Sequence, residues 1–467
     1  MDSPALDRMN FPDNFIWGSA TSSYQIEGAA YRNGGGLSVW DMMGRHPGKI
    51  AGGDTGELAC DHIHRFRDDV DLMVELGLGA YRFSVSWPRV LPEGTGRINA
   101  QGLDFYDHLV DALLAKNIDP WLTLFHWDFP YELYCQGGWL NRDSADWFAD
   151  YTAIIVERLS DRVSHWCTLN EPQIFIGMGH LDGTHAPGVP MAFAEALRAG
   201  HHCLLAHGKA VQAIRAGAKR ALSVSAAHAG SYYMPISDSA DDIEAARQRN
   251  FSIEERCFIN NTWFSDPMLL GEYPVDGLEL FAADMPHIAA DDMTVICQPL
   301  DYFATNIYWG RYGRRGADGN FELVDNEPFA RTDFNWPVTP EVLYWGPRFF
   351  SERYHLPVVV TENGMANADS VIDGIVDDEA RIEFLNRYLY EYARAIEEGV
   401  PAIGYFLWSL LDNFEWAEGY SKRFGITHVD YSTQQRQLKQ SAYWYRDLIA
   451  RRSIQPYQAR ELRRVSA

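Results

Sequence analysis

The chain has no Cys-x-x-Cys pair, no run approaching 18 apolar residues, no Gly/Ser-rich linker, and far fewer basic than acidic residues. Each shortage excludes a class of protein. The six cysteines (Cys60, Cys135, Cys167, Cys203, Cys257, Cys297) are scattered, and read as reduced, mostly buried thiols instead of a disulfide framework. No membrane-spanning helix is expected, and residues 1–7 lack the basic and apolar regions of a secretory leader. A soluble, cytoplasmic protein is the expectation. With 64 acidic against 40 basic residues the formal charge is −24, which opposes binding to nucleic acid or to an anionic membrane. A metal site has little support: His62-Ile63-His64 precedes a helical stretch with no acidic or histidine set at ligand spacing. His201-His202-Cys203 lies on an apparent helix, where adjacent residues do not face one ligand. Gly34-Gly35-Gly36 precedes no Lys-Ser/Thr pair, so it is a turn and not a phosphate cradle.

What the chain does contain is apolar and aromatic. At 467 residues and 46% hydrophobic it can bury a large core, and without a linker a single domain over residues 1–467 is preferred to two or three smaller ones. The 15 Trp, 24 Tyr and 24 Phe exceed what a core alone needs, and aromatic faces suit the C–H faces of sugars. Short buried strands are expected over residues 15–24, 80–87, 120–127, 166–170, 222–228, 302–308, 357–361 and 402–408. Helical spacing fills residues 68–76, 102–116, 144–159, 192–216, 338–354 and 378–398 between them. This alternation predicts an α/β fold of the (β/α)₈ type, a TIM barrel. Two long connections, 229–301 and 309–356, read as elaborated loops over the C-terminal face, where such barrels keep their sites.

Two segments carry the chemistry: Thr168-Leu169-Asn170-Glu171-Pro172 and Thr361-Glu362-Asn363-Gly364, each an apolar run ending in a carboxylate. A lone Asn-Glu-Pro is an ordinary strand-to-helix turn. Here, however, the strand ends together gather Gln25, Arg82, His126 with Trp127, Asn170 with Glu171, His228, Asn306 with Tyr308, Glu362 and Trp408. Burial without function would place apolar residues at those ends. Two carboxyls facing one cleft suggest acid/base or nucleophilic work on a sugar acetal.

Four motifs carry a family resemblance. They are Phe15-Ile16-Trp17-Gly18-Ser19-Ala20-Thr21-Ser22-Ser23-Tyr24-Gln25-Ile26-Glu27-Gly28, the two carboxylate segments, and Asp412-Asn413-Phe414-Glu415-Trp416-Ala417-Glu418-Gly419-Tyr420. Over about residues 11–448 the chain resembles glycoside hydrolase family 1, the β-glucosidases. The resemblance implies a barrel enzyme that cleaves β-linked sugars with retained configuration, Glu171 acting as acid/base and Glu362 as nucleophile. It implies that Arg82, Asn306 and Tyr308 support the nucleophile, and that Gln25, His126, Trp127, Asn170, Trp408, Glu415, Trp416 and Phe424 bind the sugar. Core packing would otherwise be the better reading of Trp408 and Phe424. No metal or organic cofactor is expected. The expected partner is a small-molecule oligosaccharide or an aryl or alkyl β-glycoside, and a homo-oligomer is left open.

The leaving-group side departs from the family. Many members carry Trp after Asn-Glu-Pro, whereas this chain has Gln173, so a more polar or more open aglycone site is expected, with His185, Tyr233 and Trp336 contributing its grip. Ile307 stands where the family usually has Tyr, while Asn306 and Tyr308 are kept. Family members that act on phosphorylated sugars replace the Glu-Trp pair; intact Glu415-Trp416 points to an uncharged sugar. Terminal β-D-glucosyl residues are the first substrate expectation, with β-galactosides and β-fucosides as alternatives. A barrel that binds sugars without cleaving them is the different-class reading, disfavoured because both carboxylates are present.

Overall fold

Strands buried on both faces need continuous apolar runs, and stretches such as Val358-Val359-Val360 and Phe406-Leu407-Trp408 supply them. In the computed structural model, which describes residues 8–29, 31, 33–324 and 329–458, these runs close into an eight-stranded parallel barrel. The strands are β1 (Ile16–Ala20), β2 (Ala80–Ser84), β3 (Asp119–Phe125), β4 (His165–Asn170), β5 (Ser223–His228), β6 (Phe303–Asn306), β7 (Val358–Asn363) and β8 (Ala402–Trp408). Each pairs with its neighbours in chain order, and β8 pairs with β1 to close the ring. The principal helices are α1 (His62–Glu75), α2 (Ala100–Ala115), α3 (Ser144–Leu159), α4 (Phe193–Gly217), α5 (Ala240–Phe251), α6 (Val342–Tyr354), α7 (Glu379–Glu397) and α8 (Gln440–Arg451). The expected (β/α)₈ barrel is therefore the observed fold. The residues 1–7 read above for a leader lie outside the described residues.

Two apolar layers result. One lies between strands and helices; the other fills the barrel, where Trp121 packs on Phe406 at 4.8 Å between ring centres and Ala20, Ala80, Ala227 and Ala304 leave room for them. Large rings at the axis against small residues elsewhere satisfy the volume of the barrel.

Boundaries differ from expectation where local chemistry intervenes. The first strand stops at Ala20, because Ser23–Ile26 turns into a short helix that starts the path into the mouth. Helix α1 begins six residues earlier than its apolar spacing indicated, so His62-Ile63-His64 forms its first turn; its capping Asp61 is left-handed and gives no side-chain cap bond to signal the start. His62 and His201 are bound to Asp69 and Asp292, both at packing positions. Three cysteines are buried and two half-buried, but Cys135 is exposed; all six are free. Among the described residues no helix is long and apolar enough to cross a membrane.

The segment 409–425, which follows β8, is anchored by buried charge. Lys439 Nζ donates to Asp369 Oδ2 at 2.6 Å and to Asp412 Oδ1 at 2.7 Å, all three side chains being fully buried. Arg381 also binds Asp369, and Arg423 binds Asp412. Removing one partner strands buried charge, so Lys439→Met is expected to cost about 3 to 5 kcal/mol of stability. Thermal unfolding of the variant beside the parent checks this.

Candidate active site

A cavity of about 480 Å³ opens at the C-terminal ends of the strands, roofed by parts of the two long connections. Asn170 ends β4 and Glu171 follows it; Asn306 ends β6, Glu362 lies near the end of β7, and Trp408 ends β8. The Asn306 and Glu362 positions are register partners, which brings β6 chemistry beside β7 chemistry. Three residues on the wall have left-handed backbones: Trp127 (φ 81°), Glu171 (φ 52°) and Trp416 (φ 49°). Non-glycine residues adopt this region at a cost of order 1 to 3 kcal/mol, which surrounding structure must offset. At Glu171 the amide donates to Ala227 O at 2.8 Å, and the residue caps the helical turn that begins at Pro172. Gly364 is required next to Glu362 and Asn363, because a Cβ there would sit 1.8 Å from Trp408 O.

The two glutamates have unlike partners. Arg82 Nη1 donates to Glu362 Oε1 at 2.5 Å and the Tyr308 hydroxyl to Glu362 Oε2 at 2.8 Å. Glu171 Oε1 receives one neutral donor, Asn306 Nδ2, at 2.6 Å. Burial and then the Glu362 charge push the Glu171 carboxyl up to about 8, against the opposing pull of Asn306 and Arg82. Burial also raises Glu362, but Arg82 above all, with Tyr308 and Asn306, counters it, so Glu362 is the first of the pair to ionise. Burial and the two neighbouring carboxylates likewise push Glu415 to about 8. Burial, aided by Arg82, holds His126 neutral.

The further residues expected at the site can be placed. His126, Trp127, Asn170, Trp408, Glu415, Trp416 and Phe424 line the cavity with the two glutamates, Asn306 and Tyr308. Trp127 and Trp416 are 4.5 Å apart between ring centres, and Trp127 Nε1 donates to Asn170 O at 2.8 Å. His185, Tyr233 and Trp336 line the same cavity, Trp336 lying 5.2 Å from Tyr308 and His185 5.6 Å from Trp127 between ring centres. Gln25 is fully buried behind the wall, its amide bonded to Asn413 Oδ1 and Phe414 O and lying 3.4 Å from Glu415 Oε2. Gln173 departs from expectation. It is fully buried, with Nε2 directed to His228 Nδ1 and Oε1 accepting from Ala229 N, so the wall residue on this turn is Ile174 instead. His228 is also withdrawn, stacked on Phe303. Ile307 is fully buried, its apolar side chain satisfied by packing.

Trp309 and Phe334 also form the wall and were not read from the sequence. Phe334 stacks on Trp336 at 4.6 Å, and Trp309 directly follows Tyr308, so an aromatic near each expected residue was the available signal. Among the described residues no group of three His, Cys, Asp or Glu side chains could hold a metal ion.

A parallel barrel whose mouth pairs two carboxyls of unequal acidity inside an aromatic, hydrogen-bonding cavity defines a glycoside hydrolase. Residues 7–454 match the model of glycosyl hydrolase family 1, and the chain belongs to that family. It is 44% identical over 449 residues to β-glucosidase A of Thermotoga maritima, covering 95% of this chain and 99% of that one. It is 41% identical to a bifunctional β-D-glucosidase/β-D-fucosidase of Bifidobacterium breve, covering 95% and 98%. A solved family 1 β-glucosidase from Thermotoga maritima superposes with a TM-score of 0.88 at 43% identity, over 96% of this chain and 100% of the other. A Thermotoga maritima β-glucosidase complexed with glucoimidazole gives 0.87 at 44% identity, over 95% and 99%.

Proposed function

We propose that this protein is a retaining β-glucosidase that removes terminal non-reducing β-D-glucosyl residues, with Glu362 as nucleophile and Glu171 as acid/base. The observation that carries the assignment is the difference in partners: a guanidinium and a phenol on Glu362, one amide on Glu171. Glu362 attacks the anomeric carbon while Glu171 gives its proton to the departing glycosidic oxygen, and a glycosyl ester on Glu362 results. Esterification removes the negative charge that raised Glu171, so Glu171 is left ionised and ready to take a proton from water. That water then attacks the anomeric carbon and frees Glu362.

Asn170, His126 and Glu415 are the proposed hydroxyl partners, with Gln25 supporting Glu415. Trp408, Trp127, Trp416 and Phe424 form the apolar walls. His185, Tyr233 and Trp336 would meet the aglycone, now without Gln173. Relatives named 1,4-beta-D-glucan glucohydrolase support β-glucan fragments as natural substrates. The free cysteines support a reducing, cytoplasmic setting.

The test is hydrolysis of 4-nitrophenyl β-glucoside beside the β-galactoside, β-fucoside and 6-phospho-β-glucoside, in EDTA. Chelator-resistant release from the unphosphorylated sugars, fastest from the glucoside, is expected. The kcat/KM profile should be bell-shaped. Activity falls on the alkaline side as Glu171 loses its proton near pH 8, and on the acid side as Glu362 gains one. No release by folded protein would sink the proposal in favour of a sugar-binding barrel.

A further inference from the structure

The buried network at the mouth has a direction, and Arg82 sets it. Arginine only donates, so Arg82 Nη2 at 2.6 Å fixes Asn170 Oδ1 as an acceptor. The atom of Asn306 that faces Asn170 Oδ1 at 3.1 Å must therefore be its amide nitrogen, and the same nitrogen donates to Glu171 Oε1. That leaves Asn306 Oδ1 on the far side, where the Thr361 hydroxyl donates to it at 2.7 Å. Thr361 and Asn306 are each about 2% exposed, so this bond is made in a place largely withdrawn from solvent. A methyl in place of the hydroxyl would leave a buried carbonyl oxygen unpaired.

We infer that Thr361 is a positioning residue for the reaction: its hydroxyl holds the Asn306 amide with its N–H face on Glu171. Thr361 immediately precedes the proposed nucleophile in β7, so a single strand carries Glu362 and, through Asn306, orients the acid/base. The inference rests on the reading of Glu171 as acid/base. Without the hydroxyl the amide rotates or slackens, and donation to the ionised carboxylate weakens. An N–H bond to a carboxylate favours the charged form, so its loss favours protonated Glu171. The charged and titratable groups around Glu171 are otherwise unchanged: Arg82 from β2, His126 beyond β3, Tyr232 beyond β5, Tyr308 beyond β6, Glu362 from β7 and Glu415 beyond β8.

The experiment is the pH dependence of kcat/KM for phenyl β-glucoside, whose poor leaving group needs the acid, in Thr361→Val and Thr361→Ser. The valine variant should move the alkaline limb upward by about 0.5 to 1 pH unit, the worth of one hydrogen bond. Serine, which keeps the hydroxyl, should return the limb to its parental position. Circular dichroism establishes that each variant is folded, and Thr361→Ala replaces valine should the latter misfold. A folded valine or alanine variant that merely loses rate, with its limb unmoved, overturns the inference. Glu171→Gln, assayed on the same phenyl β-glucoside at raised enzyme concentration, separates the two levels: a limb that survives there overturns the role of Glu171 as well. A limb that disappears there yet stays fixed in the valine variant overturns only the role of Thr361.

Discussion

Glu362→Gly is expected to lower turnover of aryl β-glucosides by at least about 10⁴-fold, because no covalent intermediate can form. The lost carboxylate leaves Arg82 and Tyr308, whose donors were both directed at it, around a space a small anion can occupy. Azide or formate should therefore restore cleavage of an activated glycoside. The anion attacks from the side where Glu362 stood, opposite the leaving group, and Glu171 remains at hand to manage the proton on the other face. With azide the product is the α-glucosyl azide, inverted relative to the substrate. The measurement is product stereochemistry by proton NMR together with the rate in added azide. A β-configured azide from this variant would mean that the roles of the two glutamates are reversed.

The ease with which the barrel could be read has a physical origin. Its strands are buried on both faces, so Val358-Val359-Val360 and its counterparts stand out as unbroken apolar runs, and helix α3 was bounded at Ser144 and Leu159 by apolar spacing alone. Helix α1 starts before its apolar spacing does, because Asp61 caps it in a left-handed conformation that spacing does not reveal. The mouth was legible for a related reason: polar residues at buried strand ends demand an explanation, and Asn170, Asn306 and Glu362 share one.

What the sequence could not convey is the direction in which a side chain points. Gln173 follows Glu171 closely enough to suggest the cavity, yet its amide turns inward to His228 and Ala229 N, and Ile174 reaches the wall instead. Gln25 is likewise buried, its amide bonded to Asn413 and Phe414 and 3.4 Å from Glu415 Oε2. Nothing in the spacing around Thr361 marks its hydroxyl; only the sequence of donors running from Arg82 through Asn170 and Asn306 shows what it satisfies.

Glu171→Ala should separate the two halves of the reaction. Forming the glycosyl-enzyme from 2,4-dinitrophenyl β-glucoside needs little help from an acid, since the phenolate leaves unprotonated, so that step should stay within about 10-fold of the parent. Phenyl β-glucoside, whose leaving group needs the proton, should lose roughly 10² to 10⁴-fold in kcat/KM, the usual worth of a general acid. The second half loses its base whatever the substrate, so glycosyl-enzyme accumulates and a burst of dinitrophenolate precedes slow turnover. Azide should relieve that block, because an anionic nucleophile needs no deprotonation and the departure of the Glu171 carboxylate removes the charge that would repel it. It attacks from the face where Glu171 stood, on the side opposite the ester to Glu362, giving the β-glucosyl azide with configuration retained. The two variants thus yield opposite azides from one substrate. If both substrates fell equally in Glu171→Ala and azide did nothing, Glu171 would be supporting the structure of the mouth instead of moving a proton.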